Sequence, residues 1–184
     1  MPIIMEYSKV KKEWPEFMDV LRDTREKASS DAKLAWGLED GGFYPTSGQF
    51  GECGIRPRFV QIGTTTGRES WLRAYATAGW NTVIDNNVIE DVYLGIVGFV
   101  LPNAVQNALL VRIEAGDAKL PVIQLEGEVD VMEEPIVVFD KGLVVPEDTS
   151  VKLEVYARQQ CHQTIKPFGF ALAKQKVLID KDPT

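Results

Sequence analysis

One histidine, His162, and two cysteines, Cys53 and Cys161, stand in 184 residues. That scarcity removes most catalytic and metal chemistry. Triads and histidine proton shuttles need a histidine base, and most zinc or iron sites need several His or Cys side chains in concert. Cys161 and His162 are adjacent, so within a strand they point to opposite faces and do not chelate as a pair. Two cysteines form at most one bridge, which is no disulfide framework and fits a reducing cytoplasm. No local base accompanies Cys53. The polar inventory is too poor to assign a catalytic residue or a cofactor, and the expectation is a protein that is not an enzyme.

Other things are missing too. There is no run of about 18 uncharged apolar residues, so no membrane-spanning helix is expected. The opening "MPIIMEYSKVKKEW" has too short an apolar part for a secretory signal. None of the five asparagines begins an N-x-S/T sequon. An excess of positive charge is also absent: net charge is −7, from 20 basic and 27 acidic residues. The N-terminal segment has Lys9, Lys11, Lys12, Arg22, Arg25, Lys27 and Lys33 balanced by Glu6, Glu13, Glu16, Asp19, Asp23, Glu26 and Asp31. It is neutral and unlike a basic arm that packages nucleic acid, so direct nucleic-acid binding is not expected.

What is present begins with a helix. In "KKEWPEFMDVLRDTREKASSDAKLAW", Trp14, Phe17, Met18 and Leu21 fall at i, i+3, i+4 and i+7 and make one apolar stripe. Pro15 suits the first turn, and Ser29-Ser30-Asp31 reads as an end or a cap. The stripe packs on its own domain or docks on a neighbouring subunit, so Trp14, Phe17, Met18 and Leu21 are the candidate contact residues between copies. Residues 37–57 form a connection rich in Gly and Pro, where no regular element is expected. Its glycines lack the spacing of a phosphate loop and no Gly-Lys-Ser/Thr follows.

From residue 58 the period changes to two. Candidate strands are "RFVQIG", "SWLRAY", "GWNTVI", "VYLGIVGFVL", "ALLVRIEA", "LPVIQLEGEV", "PIVVF", "GLVV", "SVKLEVYAR", "FGFALAK" and "KVLI". "SVKLEVYAR" alternates with one face buried and one wet, whereas "YLGIVGFVL" is apolar on both. Asp140-Lys141-Gly142 reads as a three-residue hairpin connection, and Pro146 suits a type I turn. Short strands about every dozen residues, with no βαβ alternation, indicate an all-β antiparallel sandwich or barrel. The expected layout is an N-terminal helical segment (1–36), the connection (37–57), the β-domain (58–180) and a short tail (181–184).

Two clusters carry possible binding. Glu126, Glu128, Asp130, Glu133 and Glu134 form a solvated acidic turn or a weak calcium site, without the spacing of a dedicated calcium loop. Trp71, Tyr75 and Trp80 are either packing residues or a platform for sugars, as in many β-sandwich modules of fibres and receptor-binding proteins. Trp71 and Tyr75 would share a face in extended geometry, with Trp80 beyond the Gly79 break.

The stretches "GIVGFVLPNAVQNALLVRIEAGDAKLPVIQLEGE", "EEPIVVFDKGLVVPEDTSVKLEVYA" and "IKPFGFALAK" occur in an order that resembles the jelly-roll coat proteins of icosahedral prokaryotic viruses. The likeness covers about residues 80–179. It implies one eight-stranded jelly roll of two facing sheets, preceded here by the amphipathic helix. It also implies a structural subunit that assembles with copies of itself and with other capsid proteins in a virion made in the host cytoplasm. The neutral N-terminus departs from coat proteins that gather RNA directly. It fits a shell built over another layer, such as a membrane, or one whose genome other proteins package.

Overall fold

In the computed structural model, residues 3–6, 16–37, 50–60, 71–102, 107–125 and 135–179 are described. They form mostly antiparallel β-structure with one long helix near the N-terminus. The order is β1 (Ile3–Glu6), α1 (Glu16–Ala35), β2 (Phe50–Cys53), a 3-10 turn (Pro57–Val60), β3 (Leu72–Tyr75), β4 (Gly79–Asn87) and β5 (Val92–Val100). Then follow β6 (Ala108–Ala115), β7 (Ala118–Lys119), β8 (Ile123–Gln124), β9 (Pro135–Val145), β10 (Ser150–Ala157), β11 (Cys161–Thr164), β12 (Lys166–Lys174) and α2 (Gln175–Ile179). A first sheet runs β1-β9-β5-β12-β2, and a second runs β4-β10-β6-β7 with β8 also on β6. β11 and β3 pair as a separate ribbon.

Strand β5 explains the layering. Its sequence is apolar on both faces, so both must be covered. Val92, Leu94, Ile96 and Phe99 enter the main core, which also takes Val111, Ile113, Leu153 and Val155 from the second sheet. Tyr93 and Val97 face the other way. There Tyr93 clusters with Ala28 and Ala32 of α1, and Val97 with Phe17. A register shift between Ile96 and Gly98 changes the parity, which returns Phe99 to the inner face.

Helix α1 fits that role chemically. Glu16 and Asp19 lie in its first turn and Lys33 in its last, matching the helix dipole. Gly37, at φ 63°, follows its C-terminal end. The buried positions are Phe17, Thr24, Ala28, Ser29 and Ala32. This corrects the expected stripe: Met18 is exposed, and the small residues Ala28, Ser29 and Ala32 carry the face onto the sheet. Ser29-Ser30-Asp31 neither ends nor caps the helix, which continues to Ala35 because tertiary packing outweighs the weak local signal.

Five further expectations are corrected. Strand β1 lies before the helix and pairs with β9, and β2 lies inside the Gly/Pro-rich connection and pairs with β12. Both are short edge strands whose partners, not their own propensities, define them. "RFV" forms the 3-10 turn instead of a strand, and "KVLI" belongs to α2. Asp140-Lys141-Gly142 is no hairpin, since β9 runs unbroken from Pro135 to Val145. Its partner moves from Val138↔Gly98 to Leu143↔Ile96, so β9 absorbs the extra residues as an irregularity. Gly142 serves the helix: a Cβ there would lie 2.0 Å from Thr24 Oγ1.

One charged knot closes the corner beneath the helix end. Glu147, in the β9–β10 turn, accepts hydrogen bonds from the Asp91 backbone N–H (2.5 Å) and from Trp36 Nε1 (3.2 Å). The buried Asp91 carboxylate pairs with Lys174 and Lys176. Lys174 Nζ lies 5.3 Å from the Trp36 ring centroid, and Trp36 meets Phe50 and Tyr93 edge-on. Burial raises the Asp91 pKa, but the hydrogen bonds and charges of the two lysines outweigh it and hold the group below its ordinary value.

Two predictions follow from this packing. Gly142→Ala should destabilise the chain by about 1–3 kcal/mol, and Thr24→Ala in the same chain should recover part of that loss, giving a non-additive cycle in urea unfolding. Asp91→Asn should cost about 1–3 kcal/mol at neutral pH. Because the folded pKa is depressed, the wild-type advantage is present above the unfolded value of about 3.9 and is lost as pH falls through the lower folded value. Unfolding curves of the two proteins should therefore converge below about pH 4.

Candidate interaction surface

The candidate contact residues of the helix divide. Trp14 lies outside the described residues. Phe17 is 3% exposed, stacks on Phe168 at 5.7 Å and clusters with Val97, Ile136 and Val138 of its own sheet. Leu21 is half-buried between the two clusters under the helix. Met18, at 46%, faces outward. Of the three described members of the stripe, Phe17 and Leu21 thus pack within the chain and Met18 does not.

The candidate sugar platform divides as well. Trp71 and Tyr75 do share a face, but it is the inward one, and both belong to the main core. The Tyr75 hydroxyl is buried with no hydrogen-bond partner among the described residues, and burial pushes its pKa well above the ordinary value. Trp80 sits beyond Gly79, whose φ is 122°, at the start of β4. It is 37% exposed on the outer face of the second sheet. The three rings do not form one platform.

Trp80 instead joins residues from two other strands. The register places Tyr156 of β10 between Trp80 of β4 and Leu110 of β6, and Glu154 between Thr82 and Arg112. Val151, Leu153, Val155 and Ala157 of β10 go to the core, so Lys152, Glu154 and Tyr156 take the outer face. The Trp80 and Tyr156 rings meet at 5.6 Å and 84°. Arg112 lays its guanidinium 4.4 Å from the Trp80 centroid and donates through Nε to Glu154 Oε2 at 2.5 Å. Lys152 Nζ lies 3.6 Å from Glu154 Oε1, and Lys119 Nζ lies 3.2 Å from Glu114 Oε2 on the same face.

Electrostatically this face is self-compensated. The Arg112 hydrogen bond, reinforced by the charges of Arg112 and Lys152, outweighs burial and holds Glu154 below the usual carboxylate range. It remains an acceptor at neutral pH. The arrangement can orient rings and present donors and acceptors. Tyr156, Arg112 and Glu154 escaped the sequence reading although "SVKLEVYAR" and "ALLVRIEA" mark them as outward-facing. Which outward residues become neighbours depends on pairing register, and that is set by residues far apart in the chain.

An open apolar recess of about 270 Å³ lies between Leu120, Pro121, Val122, Ile123 and the β9 irregularity at Phe139, Asp140 and Lys141. Cys53 and Cys161 are both free, and burial is the leading cause that raises each thiol pKa and disfavours the thiolate. His162 is exposed on β11, opposite Ala74. The acidic stretch 126–134 lies outside the described residues. Among the described residues no group of three or more His, Cys, Asp or Glu is placed to hold a metal ion. No described helix is long and apolar enough to cross a membrane. The chain matches no protein-family model, no curated protein and no solved structure.

Phe17→Ala should lower the stability of the isolated chain by about 3–5 kcal/mol through the cavity it leaves against Phe168 and Val97. Met18→Ala should stay within about 0.5 kcal/mol. Urea unfolding at a protein concentration low enough to prevent association checks both.

Proposed function

We propose that this chain is a structural subunit with a jelly-roll β-sandwich, which assembles with copies of itself as the coat protein of a virus shell. The observation that carries the reading is the nesting of its strand pairs. Take β2, β4, β5, β6, β8, β9, β10 and β12 as eight successive strands. The first pairs with the eighth, the second with the seventh, the third with the sixth and the fourth with the fifth. That is one long hairpin folded at β6–β8. Two cross-pairings, β12 with β5 and β10 with β6, roll it into two four-stranded halves. A jelly roll needs this arrangement, and every pair is antiparallel.

The fold alone hosts several functions. Assembly is favoured by the likeness of residues 80–179 to prokaryotic-virus coat proteins and by apolar side chains left in water. Leu34 is 85% exposed, Val122 52% and Leu72 48%. Contacts between copies of this kind bury on the order of 1,200–2,000 Å² in total, with apolar side chains at their centre. The partners in this reading are further copies and other capsid proteins. The acidic balance of the chain speaks against direct contact with the genome. The destination is the virion, with an inner layer, a membrane among the options, beneath the shell.

Light scattering across a range of concentration and salt tests the proposal. Pentamers, hexamers or larger closed particles are the expected result. A strict monomer at the highest attainable concentration would overturn it.

A further inference from the structure

We propose that the outer face of the second sheet, around Trp80 and Tyr156, is a binding site for a neutral, hydroxyl-rich glycan. The inference does not rest on self-assembly. It starts from a contrast between the two sheets. The first has its outer face closed by α1, whereas among the described residues no element covers the outer face of β4, β10 and β6. On that uncovered face stand two aromatic side chains, each 37% exposed, in contact with each other. Leaving two large rings more than a third in water forgoes burial that either could have had in the core.

The geometry of the rings suits a pyranose. At 84° the two planes form a corner, so the C–H face of one sugar ring can lie on one aromatic while its rim meets the other. Arg112 over Trp80 fixes the indole orientation, and an ordered ring loses less freedom when a ligand arrives. Neither the Trp80 indole N–H nor the Tyr156 hydroxyl makes a hydrogen bond to another described residue. Thr82 and Gln124 flank the corner through the register Glu154↔Thr82 and Leu110↔Gln124. These groups donate and accept, as sugar hydroxyls require.

Charge decides between classes of glycan. Arg112 is engaged by Glu154, Lys152 lies near the same carboxylate, and Lys119 is paired with Glu114. A third carboxylate, Asp85, stands opposite Lys152 in the register. Among the described residues of these strands three cations thus meet three carboxylates, which disfavours a sulfate, a sialic acid or a nucleic-acid phosphate. An uncharged saccharide asks only for rings and dipoles.

The test is a broad printed array of neutral and anionic glycans, probed with the labelled full chain, followed by calorimetry on the best hits. Hits should be neutral. Trp80→Ala and Tyr156→Ala should each weaken binding by about tenfold or more, Trp80→Phe should keep part of it, and Met18→Ala should keep all of it. Tyr156→Phe, which removes only the hydroxyl, gives a variant with little risk to folding, and it should weaken binding measurably. Thermal melts verify that each variant is folded. A blank array, hits confined to sulfated or sialylated glycans, or undiminished binding by folded Trp80→Ala would each overturn the inference. So would a Trp80→Ala variant that binds no less sugar but changes the mass in light scattering, because the face would then be a contact between copies. A monomer that binds neutral glycans through Trp80 would uphold this inference while overturning self-assembly.

Discussion

Strand β5 must be covered on both faces, and the rest of the molecule is arranged around that requirement. Its eight buried residues, from Val92 to Phe99, leave no polar side toward water. Facing the second sheet satisfies one side. On the other, α1 lays Phe17, Ala28 and Ala32 over Val97 and Tyr93. Small residues in the middle of the helix bring its backbone close to the sheet, and Gly142 clears the position where Thr24 would collide. The ends of the contact are then fastened electrostatically. Arg25 meets Glu52 of β2 at 2.7 Å, and Trp36 is tied to the β9–β10 turn through Glu147. Glu147 also caps the Asp91 backbone, so one carboxylate links the helix end to the start of β5.

The sequence made the local periodicities legible. β6 and β10 occupy the spans their alternation marks, and β5 is the doubly apolar strand its text describes. Features set by a distant partner were not legible. Ile3–Glu6 and Phe50–Cys53 are strands because β9 and β12 offer edges there, and nothing in four residues announces that. Gly142 looked like a turn residue because a turn is the commonest local reason for glycine between apolar runs. Its reason here lies on α1, more than 100 positions earlier. The candidate binding residues divided along the same line. That Trp71 and Tyr75 share a face followed from spacing, but which side of the sheet faced water did not. Trp80 was found as an aromatic, whereas Tyr156, Arg112 and Glu154 become its neighbours only through the β4–β10–β6 register.

The two outer faces consequently do different work. The first sheet spends its outer face on stability, through apolar side chains that α1 shields. The second keeps a face where every alternate residue of β10 and β6 is outward, and where Arg112, Lys152 and Lys119 stand among the carboxylates Glu154, Glu114 and Asp85. The Glu154 carboxyl, held low by its arginine, stays an acceptor at ordinary pH, so the Arg112–Glu154 pair is a fixed feature and not a switch.

This division limits how copies of the chain can meet. The buried face of a helix that already covers Val97, Ile136 and Val138 cannot also dock on a neighbour unless the helix leaves its own sheet. Leaving would expose those side chains together with Tyr93 and Phe170. Each buried side chain of that size is worth about 1.5–3 kcal/mol, so departure is affordable only if an identical helix from another copy takes the vacated place. Such an exchange preserves the contacts and changes only which chain supplies them. In the proposed assembly, without exchange, contacts between copies would fall to residues that already stand in water, such as Leu34 and Val122, and to the edge strands β1, β2 and β4. Those edges present backbone donors and acceptors that a neighbouring strand can use. For the proposed assembly, the intramolecular helix therefore moves the expected interface from its buried stripe to its exposed side chains and the rims of the two sheets.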